Sequence, residues 1–337
     1  MPRLRRSDCS GPGLRRVRRG RGFQHVEEDG TPIEDREVLE RIRELAIPPA
    51  WEDVWICPHP RGHIQATGID DAGRKQYLYH QAWREHRDRE KFDQMLGFAA
   101  ALPALRRRVA EDLSRRGLVR ERVLACGVRL LDLGFFRIGS ERYAAENETF
   151  GLATLRKGHL KFERGAAVFD YRAKGAKRHR QVVDDPIVLP TLRALKKRRD
   201  GGDLLAYKVG RSGWADVRSE EVNDYLKQAA GGEFTAKDFR TWNATVLAAV
   251  AVAGSDGRPE TKAARKRVVN QAVRQVAEYL DNTPAVCRSA YIDPRVFDRF
   301  DSGETIRGSL ERITRLSDRG GFPDREKIEA AVIRLIG

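Results

Sequence analysis

The chain has 337 residues, 40% of them hydrophobic and 34% charged, and a mean hydropathy of −0.59, a balance expected of a soluble protein long enough for two domains. Its 64 Lys and Arg against 49 Asp and Glu give a net charge of +15, which suits a polyanionic partner such as nucleic acid. The longest apolar stretch, residues 246–254, is too short to cross a bilayer, and the basic N-terminus lacks the apolar segment of a secretory signal, so a cytoplasmic protein is expected.

Eight arginines and one aspartate fall in residues 1–21, which therefore read as a flexible basic arm. Residues 22–90 read as a small α+β domain. Asp35 can cap a short helix carrying Val38, Leu39, Ile42 and Leu45, which must end before Pro48-Pro49. Val54-Trp55-Ile56 predicts a short strand, and residues 63–67 and 76–79 predict two more around an Asp70-Asp71-Ala72-Gly73 turn.

From about Glu90 the pattern becomes helical: Leu102, Leu105, Val109 and Leu113 recur at three- and four-residue spacing, as do Val123, Leu124, Val128 and Leu131. Residues 159–183 interrupt it, and turn signals at Arg164-Gly165 and Lys174-Gly175-Ala176 predict three short strands. Helical patterns resume over 187–197, 222–229, 236–252 and 262–280, and Ile328, Ala331, Val332 and Leu335 mark another near the C-terminus. The expected fold class is α+β. An N-terminal antiparallel-sheet domain precedes a larger, mainly helical domain, residues 91–337, with an embedded three-stranded β-meander.

The four cysteines, Cys9, Cys57, Cys126 and Cys287, show neither CxxC nor metal-ligand spacing and read as reduced structural thiols. All seven histidines precede residue 181, so chemistry in the C-terminal part has no local His base. There is no GxxxxGK[ST] loop. The adjacent pairs Asp70-Asp71 and Asp184-Asp185 read as solvated turn residues, so no metal or cofactor is expected.

Four scattered pieces matter together: Phe135-Phe136-Arg137-Ile138-Gly139 after a helix, Tyr171-Arg172-Ala173-Lys174-Gly175 at a hairpin tip, Lys237-Asp238-Phe239-Arg240-Thr241 opening a helix, and Asn282-Thr283-Pro284 followed by Arg288-Ser289-Ala290-Tyr291. In this order they resemble the active site of type IB DNA topoisomerases of the compact poxvirus and bacterial kind. Residues 141–155, with Glu141-Arg142-Tyr143 and Glu146-Asn147-Glu148-Thr149, resemble the stretch after that family's first catalytic arginine. His63-Ile64-Gln65-Ala66-Thr67-Gly68 and Lys75-Gln76-Tyr77-Leu78-Tyr79 resemble its N-terminal domain. The likeness spans roughly residues 22–300.

The resemblance implies that Tyr291 attacks a DNA phosphorus to leave a 3′-phosphotyrosine, a reaction needing neither ATP nor an obligatory metal. It implies that Arg137 and Arg240 hold the phosphate oxygens, a task suited to permanently charged guanidinium groups. Lys174 is expected to protonate the 5′-oxygen, helped by Lys237, because an ammonium among other cations gives up its proton more readily. Asn282 stands where relatives usually carry His, so this position is expected to donate a hydrogen bond rather than move a proton. Gln76, Tyr77, Tyr79, Tyr143, Asn147 and Thr149 are expected to face double-stranded DNA, around which a monomer closes as a clamp. The fold implied is that shared with tyrosine recombinases. A recombinase is the nearest rival function, but it usually shows His-x-x-Arg where this chain has Lys237 and Arg240. A noncatalytic DNA-binding protein on the same scaffold is the other.

Overall fold

The computed structural model describes residues 3–134, 136–139, 141, 144, 148–200, 202–255, 260–317 and 324–337. It divides into two compact units, Met1–Phe92 and Asp93–Gly337. It combines an N-terminal antiparallel sheet with a helical core, and among the described residues no helix is long and apolar enough to cross a membrane.

The first unit is built on one sheet of strands β1 (Leu14–Arg19), β2 (Gly22–Val26), β3 (Glu52–Ile56), β4 (Ile64–Ile69) and β5 (Lys75–Tyr79). Their order is β2-β1-β3-β4-β5, every pair antiparallel. Helix α1 (Arg36–Glu44) starts where the Asp35 carboxylate accepts the Glu37 amide at 2.9 Å and packs its buried Ile42 with Leu14, Ile33, Val54, Ile56 and Ala66.

The Arg-rich stretch corrects the expectation of a flexible arm. Its second half is β1, paired on both sides, with Leu14 in the core. Ahead of it, the Ser7 amide donates to His63 Nδ1 at 2.9 Å, the Ser7 hydroxyl donates to the Ile64 carbonyl at 2.9 Å, and the Trp55 indole donates to the Gly11 carbonyl at 3.2 Å. Gly13 lies against the Trp55 ring so closely that a Cβ there would fall 2.0 Å from the indole nitrogen. Arg16 lays its guanidinium 4.2 Å from the Phe23 ring and donates to the Pro48 carbonyl at 3.0 Å. Charge counting missed this because ladder pairing uses main-chain groups, and a few anchors suffice to order arginines whose heads stay in water.

Helix α2 (Gln81–Leu113) begins nine residues before the expected helical onset, and its part in the second unit buries Leu102, Leu105, Val109 and Leu113. Helix α3 (Arg120–Asp132) follows. Strands β6 (Leu160–Glu163), β7 (Ala166–Arg172) and β8 (Arg178–Val183) then form an antiparallel sheet in chain order. After α4 (Leu189–Lys196) comes a hairpin that sequence pattern missed, β9 (Ala206–Val209) with β10 (Gly213–Asp216). Among the described residues, helices α5 (Ser219–Ala230), α6 (Ala236–Ala253), α7 (Lys262–Leu280), α8 (Pro284–Ala290), α9 (Arg295–Asp301), α10 (Arg307–Ser317) and α11 (Arg325–Ile336) follow. Helix α6 buries Phe239, Trp242, Ala244, Ala248, Ala249 and Val252 and forms the centre of the core.

A buried ionic network ties α11 to α2, α3 and α6. Asp132, 3% exposed, pairs with Arg106 at 2.9 Å, Arg129 at 3.0 Å and Arg325 at 3.2 Å. Arg325 also donates to Asn243 Oδ1 at 2.7 Å, and Glu329 pairs with Arg106 at 2.7 Å. Burial alone would raise the Asp132 pKa, but Arg325, Arg106 and Arg129 outweigh it and hold the carboxyl below its ordinary value. The stability this group supplies is therefore present above its unfolded pKa of about 4 and is lost as pH falls through the lower folded value. Asp132→Asn should cost about 2–3 kcal/mol at pH 7, because it withdraws a carboxylate that all three arginines share, while Glu329 still pairs with Arg106 and Arg325 and Asp185 with Arg129. Urea unfolding checks this, and a loss below about 1 kcal/mol would make the network dispensable.

Asp185 also corrects the expectation of a solvated pair. It is buried, accepts the Ile187 and Val188 amides at 3.0 and 3.1 Å, and pairs with Arg129 at 2.7 Å. The turn that looked like solvent-facing punctuation is closed by a buried, ion-paired carboxylate.

Candidate active site

The C-terminal end of α7 organises two arginines. The last carbonyls of a helix lack intrahelical partners and carry the negative end of its dipole. Asp281 closes α7 in a left-handed conformation, φ 49°, and the carbonyls beside it accept cations. Arg240 Nη2 donates to the Leu280 carbonyl at 2.8 Å, while Arg137 Nη2 donates to the Asp281 carbonyl at 2.7 Å and to that of Leu280 at 3.2 Å. Arg240 is 7% exposed. Burial and then the neighbouring Arg137 charge pull its pKa down from the ordinary arginine value, with Tyr291 opposing both. The group stays charged nevertheless.

Arg137 is placed by a tight backbone junction. Leu152 and Ala153 amides donate to the Arg137 and Ile138 carbonyls, both at 2.8 Å. There Gly139, at φ +84°, abuts Gly151: a Cβ on Gly151 would meet Gly139 Cα at 2.4 Å. Only residues without side chains permit that approach. Just before Gly151, the Phe150 amide donates to the Arg172 carbonyl at 2.7 Å and so joins this junction to the β7–β8 hairpin.

Lys174 is exposed at that hairpin's tip, where Gly175 (φ 79°) and Ala176 (φ 58°) turn the chain. The tip is tethered toward α7 by Lys177 Nζ, 3.0 Å from Asp281 Oδ1. Lys237 is exposed in the first turn of α6, three residues before Arg240. That turn is fixed by Asp238, whose Oδ2 accepts the Thr235 amide at 2.7 Å and its hydroxyl at 3.0 Å.

Tyr291 caps α8, with its amide bonded to the Cys287 carbonyl at 3.1 Å. Its ring centroid lies 5.5 Å from the Arg240 guanidinium carbon. Arg137, Thr149, Gly151, Lys174, Lys237, Arg240 and Tyr291 line one cavity of about 420 Å³. A second phenol, Tyr171, interacts with the same two arginines, yet it is buried and outside that lining. Burial pushes its hydroxyl pKa up despite both cations, so it stays protonated at neutral pH.

Two polar atoms here lack partners among the described residues: Asn282 Nδ2 and Thr149 Oγ1, both buried. Asn282 directly follows Asp281, whose carbonyl holds Arg137. A buried donor without an acceptor is costly unless a bound group completes it.

Of the residues expected to contact DNA, Tyr77 and Tyr79 are 43% and 37% exposed on edge strand β5, their rings 6.1 Å apart and 20° from parallel. They therefore do not serve as core packing. Gln76 donates to Asp70 Oδ2 at 2.8 Å. Thr149 is in the cavity of the second unit, and Tyr143 and Asn147 lie outside the described residues. Sequence pattern missed the Leu280 and Asp281 carbonyls altogether, since any residue supplies a carbonyl. Cys287, read from sequence as a structural thiol, is free and buried beside the site, its thiol pKa raised by that burial against the pull of Arg240 and Arg137.

Comparison with known proteins agrees along most of the chain. Residues 80–314 match the family described as the catalytic core of eukaryotic DNA topoisomerase I, and residues 22–70 match the N-terminal domain of bacterial DNA topoisomerase IB. DNA topoisomerase 1B of Acanthamoeba polyphaga mimivirus is 28% identical, over 83% of this chain and 85% of the relative. DNA topoisomerase 1 of rabbit fibroma virus (strain Kasza) is 22% identical over 85% and 92%, and DNA topoisomerase 1B of vaccinia virus (strain Copenhagen) 20% over 69% and 71%. With one family model matching residues 80–314 and a second, for the N-terminal domain of the same kind of enzyme, matching residues 22–70, the chain belongs to the type IB DNA topoisomerases.

Proposed function

We propose that the protein relaxes supercoiled DNA by transesterification at Tyr291. The phenolic oxygen forms a bond to a backbone phosphorus as the bond to the 5′-oxygen breaks. The phenolic proton passes to water, and the Lys174 ammonium gives a proton to the departing oxygen. A 3′-phosphotyrosine and a 5′-hydroxyl result. Because the new ester keeps the energy of the old one, resealing is the same path reversed and needs no ATP. The observation that carries this reading is the cavity in which Tyr291 meets Arg240 and Arg137 beside Lys174 and Lys237.

Negative charge gathers on the non-bridging oxygens in the transition state, and fixed donors that strengthen with it supply much of the rate. Arg137 and Arg240 take that role, and Lys237 assists Lys174. We read β6-β7-β8 as the embedded meander of the recombinase-like fold, and the chain as a cytoplasmic monomer whose units clamp the duplex through Gln76, Tyr77, Tyr79, Tyr143, Asn147 and Thr149. The overall test is supercoiled plasmid in EDTA without nucleotide. Relaxation is expected, and an absolute requirement for ATP or a divalent ion would overturn the reading.

Two substitutions test the roles. Lys174→Ala should slow cleavage of an ordinary duplex by about 100- to 10,000-fold. A duplex with sulfur in place of the scissile 5′-oxygen should restore most of that rate, because a thiolate departs without a proton. If sulfur brings no recovery, Lys174 is not the acid. Asn282→Ala should slow cleavage by about 10-fold or more, the worth of one hydrogen bond to a charged group, whereas Asn282→His retains most of the rate. Equal slowness of both variants would remove the donor role.

A further inference from the structure

One buried hydroxyl joins the segment bearing Tyr291 to the helix bearing Arg240. Thr245 lies five residues beyond Arg240 on α6 and is fully buried. Its Oγ1 is 3.0 Å from the Thr241 carbonyl and 3.4 Å from the Tyr291 carbonyl, and it accepts the Asp293 amide at 3.1 Å. The hydroxyl hydrogen is thus shared between the helix's own carbonyl and that of Tyr291, while the oxygen's lone pair holds the amide two residues on. Ile292, between those two contacts, is fully buried and packed in the core. Asp293 is fully buried as well, its carboxylate held by Arg295 at 2.8 Å.

Most threonines in helices satisfy only their own preceding turn. Here the same oxygen reaches across to a loop that leaves α8 with non-helical backbone at Tyr291. The loop is also tied to its own helix through Cys287, whose carbonyl accepts the amides of Tyr291 at 3.1 Å and Ile292 at 3.0 Å. We propose that Thr245 is a positioning residue for strand cleavage: its hydroxyl sets the register between the Tyr291 loop and α6, and so keeps the phenol against the Arg240 guanidinium. This rests on Tyr291 being the nucleophile.

The test measures single-turnover formation of the covalent adduct on a suicide duplex, noncovalent DNA affinity and thermal stability, for Thr245→Val, Thr245→Ala and Thr245→Ser. Val and Ala should cut the adduct rate by about 10- to 100-fold, in keeping with a nucleophile displaced by a fraction of an ångström, while affinity changes less than about threefold. Ser should stay within about threefold of wild type, since it restores the shared hydroxyl. On the duplex with a 5′-sulfur leaving group, Val should remain slow, because the defect lies in attack and not in protonation. Should Val fail to fold, Ala carries the same expectation. Wild-type rates in the hydroxyl-less variant, a Ser variant as slow as it, or recovery with sulfur would each overturn the proposal. Failure of the Tyr291 reading looks different: the wild-type protein itself would then form no adduct at Tyr291.

Discussion

Tyr291→Phe is expected to abolish both the covalent protein–DNA adduct and plasmid relaxation while leaving noncovalent affinity for duplex DNA within about twofold. The substitution removes one oxygen from a half-buried ring and leaves the ring itself in place. Arg240 would keep its position above that ring, since the contact needs only the aromatic face. With the attacking atom gone, the loss should exceed about 10,000-fold, and residual binding would report the intact cationic cavity. Rapid denaturation of the protein on a suicide duplex, followed by gel separation, measures the adduct directly. Adduct formation by the Phe variant at a tenth of the wild-type rate or more would mean that another residue attacks. Tyr171 is a poor substitute, being buried outside the cavity lining.

Arg240→Lys should lower the cleavage rate about 100- to 1,000-fold, the usual loss when one transition-state donor is removed. Size and charge suggest a mild change, but geometry does not. Arg240 spends Nη2 on the Leu280 carbonyl and still has other nitrogens to offer. A lysine has one nitrogen for both duties. Its pKa, unlike that of arginine, would also fall toward neutrality under the same burial and the same neighbouring Arg137 charge. Raising pH should therefore slow the Lys variant further, as its ammonium loses its proton, while wild type keeps this cation. Arg137→Lys should behave alike but more mildly, because Arg137 is less buried. An Arg240→Lys enzyme within about threefold of wild type, with an unchanged pH profile, would contradict bidentate phosphate binding.

The candidate site was legible in sequence because its parts are chemically conspicuous: two arginines, two lysines and a tyrosine set in recognisable neighbourhoods. Their convergence was not, since it depends on main-chain atoms. The Leu280 carbonyl that gathers both guanidiniums and the Gly139–Gly151 contact that aims Arg137 leave no compositional mark. In the fold, periodicity found the buried faces of α2 and α3, because apolar spacing reports burial directly, while turn signals marked strands within residues 159–183. It failed for β1, where arginines alternate with few apolar residues and pairing supplies the order, and for β9 and β10, which are four residues each. The C-terminal helix gave an apolar pattern without a purpose. Its polar residues, Arg325 and Glu329, supply one by joining Asp132 and Asn243, the latter three residues beyond Arg240.

Holding the guanidinium pair on a helix end has a consequence for the resting enzyme. Among the described residues, no carboxylate pairs with Arg137 or Arg240; dipolar carbonyls, with Tyr291 beside Arg240, offset their mutual repulsion. A full counter-anion would have to be evicted before a nucleic-acid phosphate could settle, and its departure would consume much of the incoming attraction. Peptide oxygens stay where they are and merely share their partners with the newcomer. The resting site thus keeps its electropositive character without a competitor built into it.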